Sequence, residues 1–133
     1  MYEQECPLFV PLVENGVKRR DDKIAQLVID KYLAELKAEG IDTLILGCTH
    51  YPLLRDAISD YMGEGVTLVD SGYETALYAP KVLKEKNLLN DDSTCKNPEF
   101  FVSDTPDGFE NIAGLFLGRD MEHSVTQIDI EQY

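Results

Sequence analysis

The stretch Leu44-Ile45-Leu46-Gly47-Cys48-Thr49-His50-Tyr51-Pro52 limits the fold more than any other part of this chain. Ile41 to Leu46 is short and mainly apolar, as expected of a parallel strand covered on both faces. Pro52 suits the first turn of a helix, and Leu53, Leu54, Ala57, Ile58, Tyr61 and Met62 give that helix one apolar side, ended by Gly63 and Gly65. A strand that turns straight into a helix demands an α/β arrangement. It also leaves a thiol, a hydroxyl and an imidazole at the carboxyl edge of the sheet, where open α/β proteins place their ligands.

The flanking sequence repeats the alternation. Cys6 to Gly16 is apolar but carries Pro7 and Pro11, which remove ladder donors, so it reads as a buried extended segment or loop. Asp21 and Asp22 precede a helical stripe of Ile24, Leu27, Val28, Tyr32 and Leu36, stopped at Gly40. Val66 to Val69 is the next strand, followed by Asp70 and Ser71 as helix caps and a helix from Tyr73 to about Lys86, kinked or broken at Pro80. Asn90 to Pro98 is a polar loop and Glu99 to Ser103 a strand. Asp104-Thr105-Pro106 then caps a helix with Phe109, Ile112, Leu115, Phe116 and Leu117 as its core face, and Val125 to Ile130 reads as a closing edge strand. The fold class is therefore α/β, with alternating strands and helices and a mainly parallel sheet.

With 133 residues, one domain is the first expectation. A formal net charge of −13 argues against a nucleic-acid partner or an anionic membrane, since both need a basic patch. No stretch has the length of a membrane span or the plan of a signal peptide. Three widely spaced cysteines argue against a disulfide framework and for a reducing cytoplasm. Cys48 and His50 lie close together, but no second ligand cluster accompanies them and His123 is remote, so no metal site is expected. Cys6 has no base or helix start beside it and reads as buried filler. Cys95, in the polar loop, reads as a surface thiol.

At the strand end, Gly47 permits a tight turn and a close approach to the backbone. Cys48 lies where N–H groups of the following helix favour a thiolate, Thr49 offers a hydroxyl, and His50 can relay a proton. Residue type alone leaves two readings open: a reactive thiol, or a small buried hydrophobe beside a structural histidine.

A resemblance separates them. Leu46-Gly47-Cys48-Thr49-His50-Tyr51-Pro52-Leu53 resembles the second cysteine motif of the glutamate racemases, in the aspartate/glutamate racemase superfamily. Cys6-Pro7-Leu8-Phe9-Val10-Pro11-Leu12-Val13-Glu14, Val69-Asp70-Ser71-Gly72 with Glu74-Thr75-Ala76, Phe100-Phe101-Val102-Ser103 and Phe116-Leu117-Gly118 agree in the same order. The resemblance implies a cofactor-independent interconversion of L- and D-glutamate, the D form feeding peptidoglycan synthesis. It assigns Cys48 to taking the proton from the L-enantiomer, His50 to assisting it, Glu14 to supporting His50, and Thr49 to holding the substrate carboxylate.

The chain departs from the family pattern by lacking the amino-terminal half with the first catalytic cysteine. It is therefore expected to be truncated, incomplete relative to the two-lobed racemase fold, and inactive alone. By the same pattern, residues 1–72 belong to the lobe carrying Cys48, and residues 73–133 return to complete the other lobe. The expected partners are glutamate and the missing amino-terminal half, with a homodimer left open. Three alternatives stand beside this reading: a racemase for aspartate or another amino acid, a non-catalytic or binding remnant, and a thiol hydrolase using Cys48 and His50. The last is weakened by the absence of an evident third orienting group.

Overall fold

The computed structural model describes residues 1–90, 98–121 and 125–132. The chain divides by its contacts into two units, Met1–Leu89 and Asn90–Tyr133. Both are mixed α/β with short parallel sheets.

The first unit opens with a helix where an extended segment was expected: α1 spans Phe9–Glu14. Pro11 falls in its first turn, where backbone N–H groups have no intrahelical acceptor, so the missing donor costs nothing. Phe9 and Val13, one helical turn apart, are both 1% exposed, and that pairing fixes which face turns inward. Gly16, at φ +78°, then reverses the chain, with its N–H donating to the Val13 carbonyl at 2.8 Å.

Helix α2 (Lys23–Ala38) starts as expected, at Asp22, whose carboxylate accepts from Ile24 N at 2.8 Å and Ala25 N at 3.4 Å. Its buried face is Ala25, Ile29, Leu33 and Leu36. The expected stripe is thus turned: Ile24 and Leu27 are exposed, and Val28 and Tyr32 sit at the core's margin. Packing against the next helix selects the i, i+4 row through Ile29.

Strand β1 (Thr43–Leu46) pairs in parallel with β2 (Thr67–Asp70), in the register Thr43↔Thr67 to Leu46↔Asp70. Between them run a 3-10 turn at Tyr51–Leu54 and helix α3 (Arg55–Met62), whose Leu54, Ala57, Ile58 and Met62 are buried as the sequence pattern requires. The sheet is not covered on both faces, because Ile45 is 64% exposed while Leu46 is 2% exposed. The register places the end of β1 beside Asp70, so both strands deliver their following turns to one sheet edge. Asp70 caps α4 (Ser71–Glu85) through Tyr73 N at 3.1 Å. That helix runs unbroken through Pro80, contrary to a break there, and none of its residues is buried.

The second unit contains β3 (Phe100–Val102), α5 (Pro106–Leu117) and β4 (Val125–Gln127), with β3 and β4 parallel. Within α5 only Ala113 is buried. Phe109 and Phe116, expected as core, are exposed, although Phe109 still meets the Phe100 ring at 6.3 Å. A two-stranded sheet is too narrow to cover a whole helix face. The closing strand also stops early. The Asp129 carboxylate accepts from Glu131 N at 3.0 Å, and Ile130–Gln132 forms a 3-10 turn instead. The polar-loop expectation for residues 91–97, with Cys95, and the remote His123 lie outside the described residues.

Candidate functional site

The site is built on the carboxyl end of β1. After Leu46 the chain passes through Gly47 to Cys48, whose side chain is half-buried. Gly47 does not occupy the left-handed region, so no turn there demands glycine. Its value is openness, since a Cβ built at Gly47 would meet nothing within 4 Å. The turn closes when Tyr51 N donates to the Cys48 carbonyl at 3.2 Å and Leu53 N to the His50 carbonyl at 3.1 Å.

Beside β1 lies a cavity of about 760 Å³. Gly47, Cys48 and Tyr51 are part of its wall, and Cys6 and Phe9 also border it. Glu3, Glu5, Glu39 and Asp42 line it, and among the described residues no lysine or arginine does. Cys6 is 3% exposed, as its reading as filler requires, and burial pushes its thiol up to about 11.

A second set of side chains gathers around the same turn. His50 Nε2 lies 3.3 Å from Glu14 Oε1, and His50 Nδ1 lies 3.2 Å from Thr49 Oγ1. A carboxylate can only accept, so Glu14 selects the Nε2–H tautomer and leaves Nδ1 to accept the Thr49 hydroxyl. The His50 side chain is 22% exposed and that of Glu14 38%, so the pair is partly shielded from water. The fold thus brings Glu14 to His50 across a long sequence separation, because the end of α1 packs beside the 3-10 turn. It places Cys48 on the cavity wall and Thr49, His50 and Glu14 outside the cavity lining.

Tyr51 is the residue that sequence reasoning passed over. Its ring meets Phe9 edge-on at 5.1 Å, and its hydroxyl donates to the Cys6 carbonyl at 3.3 Å. The signal was its place inside the motif, between His50 and Pro52. Among the described residues, no group of three or more His, Cys, Asp or Glu side chains could hold a metal ion, and no helix is long and apolar enough to cross a membrane.

These features accompany a clear likeness to known proteins. Glutamate racemase from Geobacter metallireducens is 45% identical over 126 residues, which is 95% of this chain and 46% of that protein. The crystal structure of glutamate racemase from Francisella tularensis in complex with D-glutamate superposes with a TM-score of 0.83 at 31% identity, covering 99% of this chain and 48% of the other. The Thermus thermophilus glutamate racemase structure, in complex with beta-chloro-D-alanine, gives 0.82 at 36% identity, covering 98% and 48%. The chain therefore spans about half the length of these relatives, which as glutamate racemases are isomerases. Residues 2–79 match the Asp/Glu/Hydantoin racemase family, more than half of the chain, and the chain belongs to that family.

Proposed function

We propose that this chain supplies one of the two bases of a cofactor-independent glutamate racemase. Cys48, as thiolate, removes the α-proton of L-glutamate from one face, and the carbon keeps the electron pair as a carbanion. A thiol on the opposite face, carried by the amino-terminal half of the racemase fold, returns a proton and completes the inversion. The reverse reaction exchanges the two roles. On this reading His50, oriented by Glu14, assists Cys48, and Thr49 turns its hydroxyl from His50 Nδ1 to a substrate carboxylate on binding, although neither side chain borders the cavity in this structure.

The observation that carries this reading is the half-buried Cys48 at the carboxyl edge of β1, on the wall of a cavity large enough for an amino acid. The same cavity also supports the view that the chain is not sufficient alone. A dicarboxylate is held by cations or N–H donors, and among the described residues this lining offers acidic side chains and no lysine or arginine. Helix α4 supports it too, with Tyr73, Leu77, Tyr78 and Leu83 exposed and no buried residue. On this reading residues 1–72 form part of the lobe bearing Cys48, and residues 73–133 complete the other lobe around the amino-terminal half. The product serves peptidoglycan precursor supply in the cytoplasm.

The test is solvent-deuterium incorporation at the α-carbon of L-glutamate, with and without the amino-terminal half of the Geobacter metallireducens relative co-expressed. The chain alone should give at most exchange without inversion. The pair should racemise, and Cys48→Ala should lower turnover by about a thousand-fold or more. Turnover that survives loss of that thiol would sink the assignment. Running L-aspartate beside L-glutamate decides the substrate.

A further inference from the structure

We propose that Tyr51 is a positioning residue for Cys48, latching the turn that carries the thiol to the start of α1. The inference rests on the reading of Cys48 as a base and deepens it. Three contacts carry it. Tyr51 N donates to the Cys48 carbonyl at 3.2 Å, tying the two residues within the turn. The Tyr51 hydroxyl donates to the Cys6 carbonyl at 3.3 Å, and that carbonyl also accepts Phe9 N at 3.0 Å, so the latch closes on an already ordered turn. The Tyr51 ring meets Phe9 at 5.1 Å and 77°, and Phe9 in turn meets Tyr32 at 5.7 Å and 83°.

The anchor is therefore a core residue, since Phe9 is 1% exposed. Cys48 and Tyr51 share the wall of the same cavity. Burial raises the Tyr51 phenol above its usual value, and negative charge on the neighbouring Cys6 and Cys48 sulfurs would add to the effect, so the latch stays a neutral donor at the pH where a thiolate works. The other end of α1 supplies Glu14 to His50. The turn leading into α1 and the end of α1 thus hold the motif at two points, Tyr51 and His50, both just after the strand end that carries the sulfur. A thiol that must meet a carbon–hydrogen bond in line gains from such fixing, because small misplacements of a reacting group are costly in rate.

Tyr51→Phe keeps the ring and deletes the latch. Iodoacetamide alkylation of Cys48, mapped by mass spectrometry on the whole chain, should run about three-fold faster or more in the variant, while Cys6 stays protected and the melt stays cooperative. A Cys48 rate that is unchanged or slower overturns the latch and leaves the base assignment standing. A Cys48 that resists alkylation in both proteins removes the base assignment and the latch with it. In the assembled enzyme the variant should lower kcat about ten-fold and leave KM within about two-fold, whereas a change in KM alone would also overturn the proposal. Hydrogen exchange on the unaltered chain needs no variant. The Tyr51 amide, which reports the turn itself, should be protected about ten-fold or more over an unstructured chain, and an unprotected amide removes the turn that the hydroxyl is proposed to fix and overturns the proposal.

Discussion

Cys6 and Cys48 border one cavity, yet they differ in environment: the first is walled in and the second half-buried. An ordinary thiol titrates near 9, and Cys6 is pushed up to about 11 by burial. As pH rises the unfolded chain loses that proton first. The contribution of Cys6 to stability is therefore full below pH 9 and is lost between about 9 and 11, to the extent of about 2–3 kcal/mol. Denaturant titrations across this range should show the slope in the wild type and a flatter curve in Cys6→Ala. The difference between the two curves removes Tyr61, whose phenol is also raised, and carries with Cys6 the part of the Tyr51 shift that Cys6 causes. Glu14 gives the opposite signature. Its pair with His50 is partly solvent-facing, so Glu14→Gln should change stability by less than about 1 kcal/mol. In the assembled racemase the same variant should cost about ten-fold or more in turnover, because the imidazole loses the partner that sets its tautomer.

At the scale of elements, the strand–turn–helix run around Cys48 was legible because its signals agree. The apolar strand, the glycine, the proline in a first turn and the apolar side of α3 all say the same thing. α1 was not legible, because two prolines in eleven residues read as extended chain and the sequence does not say that Pro11 falls in a first turn. The cap of α2 is a signal that acts locally. Asp22 satisfies two N–H groups at the helix start, so Asp22→Ala should destabilise the fold by about 1 kcal/mol, read as a lower denaturant midpoint at unchanged slope. The buried row of the same helix was misjudged by one face, since Ile24 and Leu27 are as apolar as Ile29 and Leu33. Only the neighbour that α2 packs against separates the two rows.

For the whole molecule, the contiguous core from Cys6 to Leu68 belongs to the first unit alone. A chain cut after Leu89 should therefore keep a cooperative melt, with a midpoint within about 5 °C of the intact chain by circular dichroism. A broad, non-cooperative transition would mean that the second unit is needed for the first to fold. Cys48, His50, Glu14, Thr49 and Tyr51 all fall within the unit that holds the core, so the candidate chemistry is carried by the unit built around it.

What the sequence determined by itself is the parallel α/β alternation, the helix starts at Asp22 and Asp70, and the thiol at a strand's carboxyl end. Each follows from periodicity, capping and backbone geometry over a few neighbouring residues. The pairing of Glu14 with His50 came from the family resemblance and not from spacing, and tertiary structure alone decided that Tyr51 reaches Cys6 and that Phe109 and Phe116 stay exposed. Those outcomes depend on which surfaces meet across dozens of residues, and side-chain spacing along one element carries no record of its neighbour.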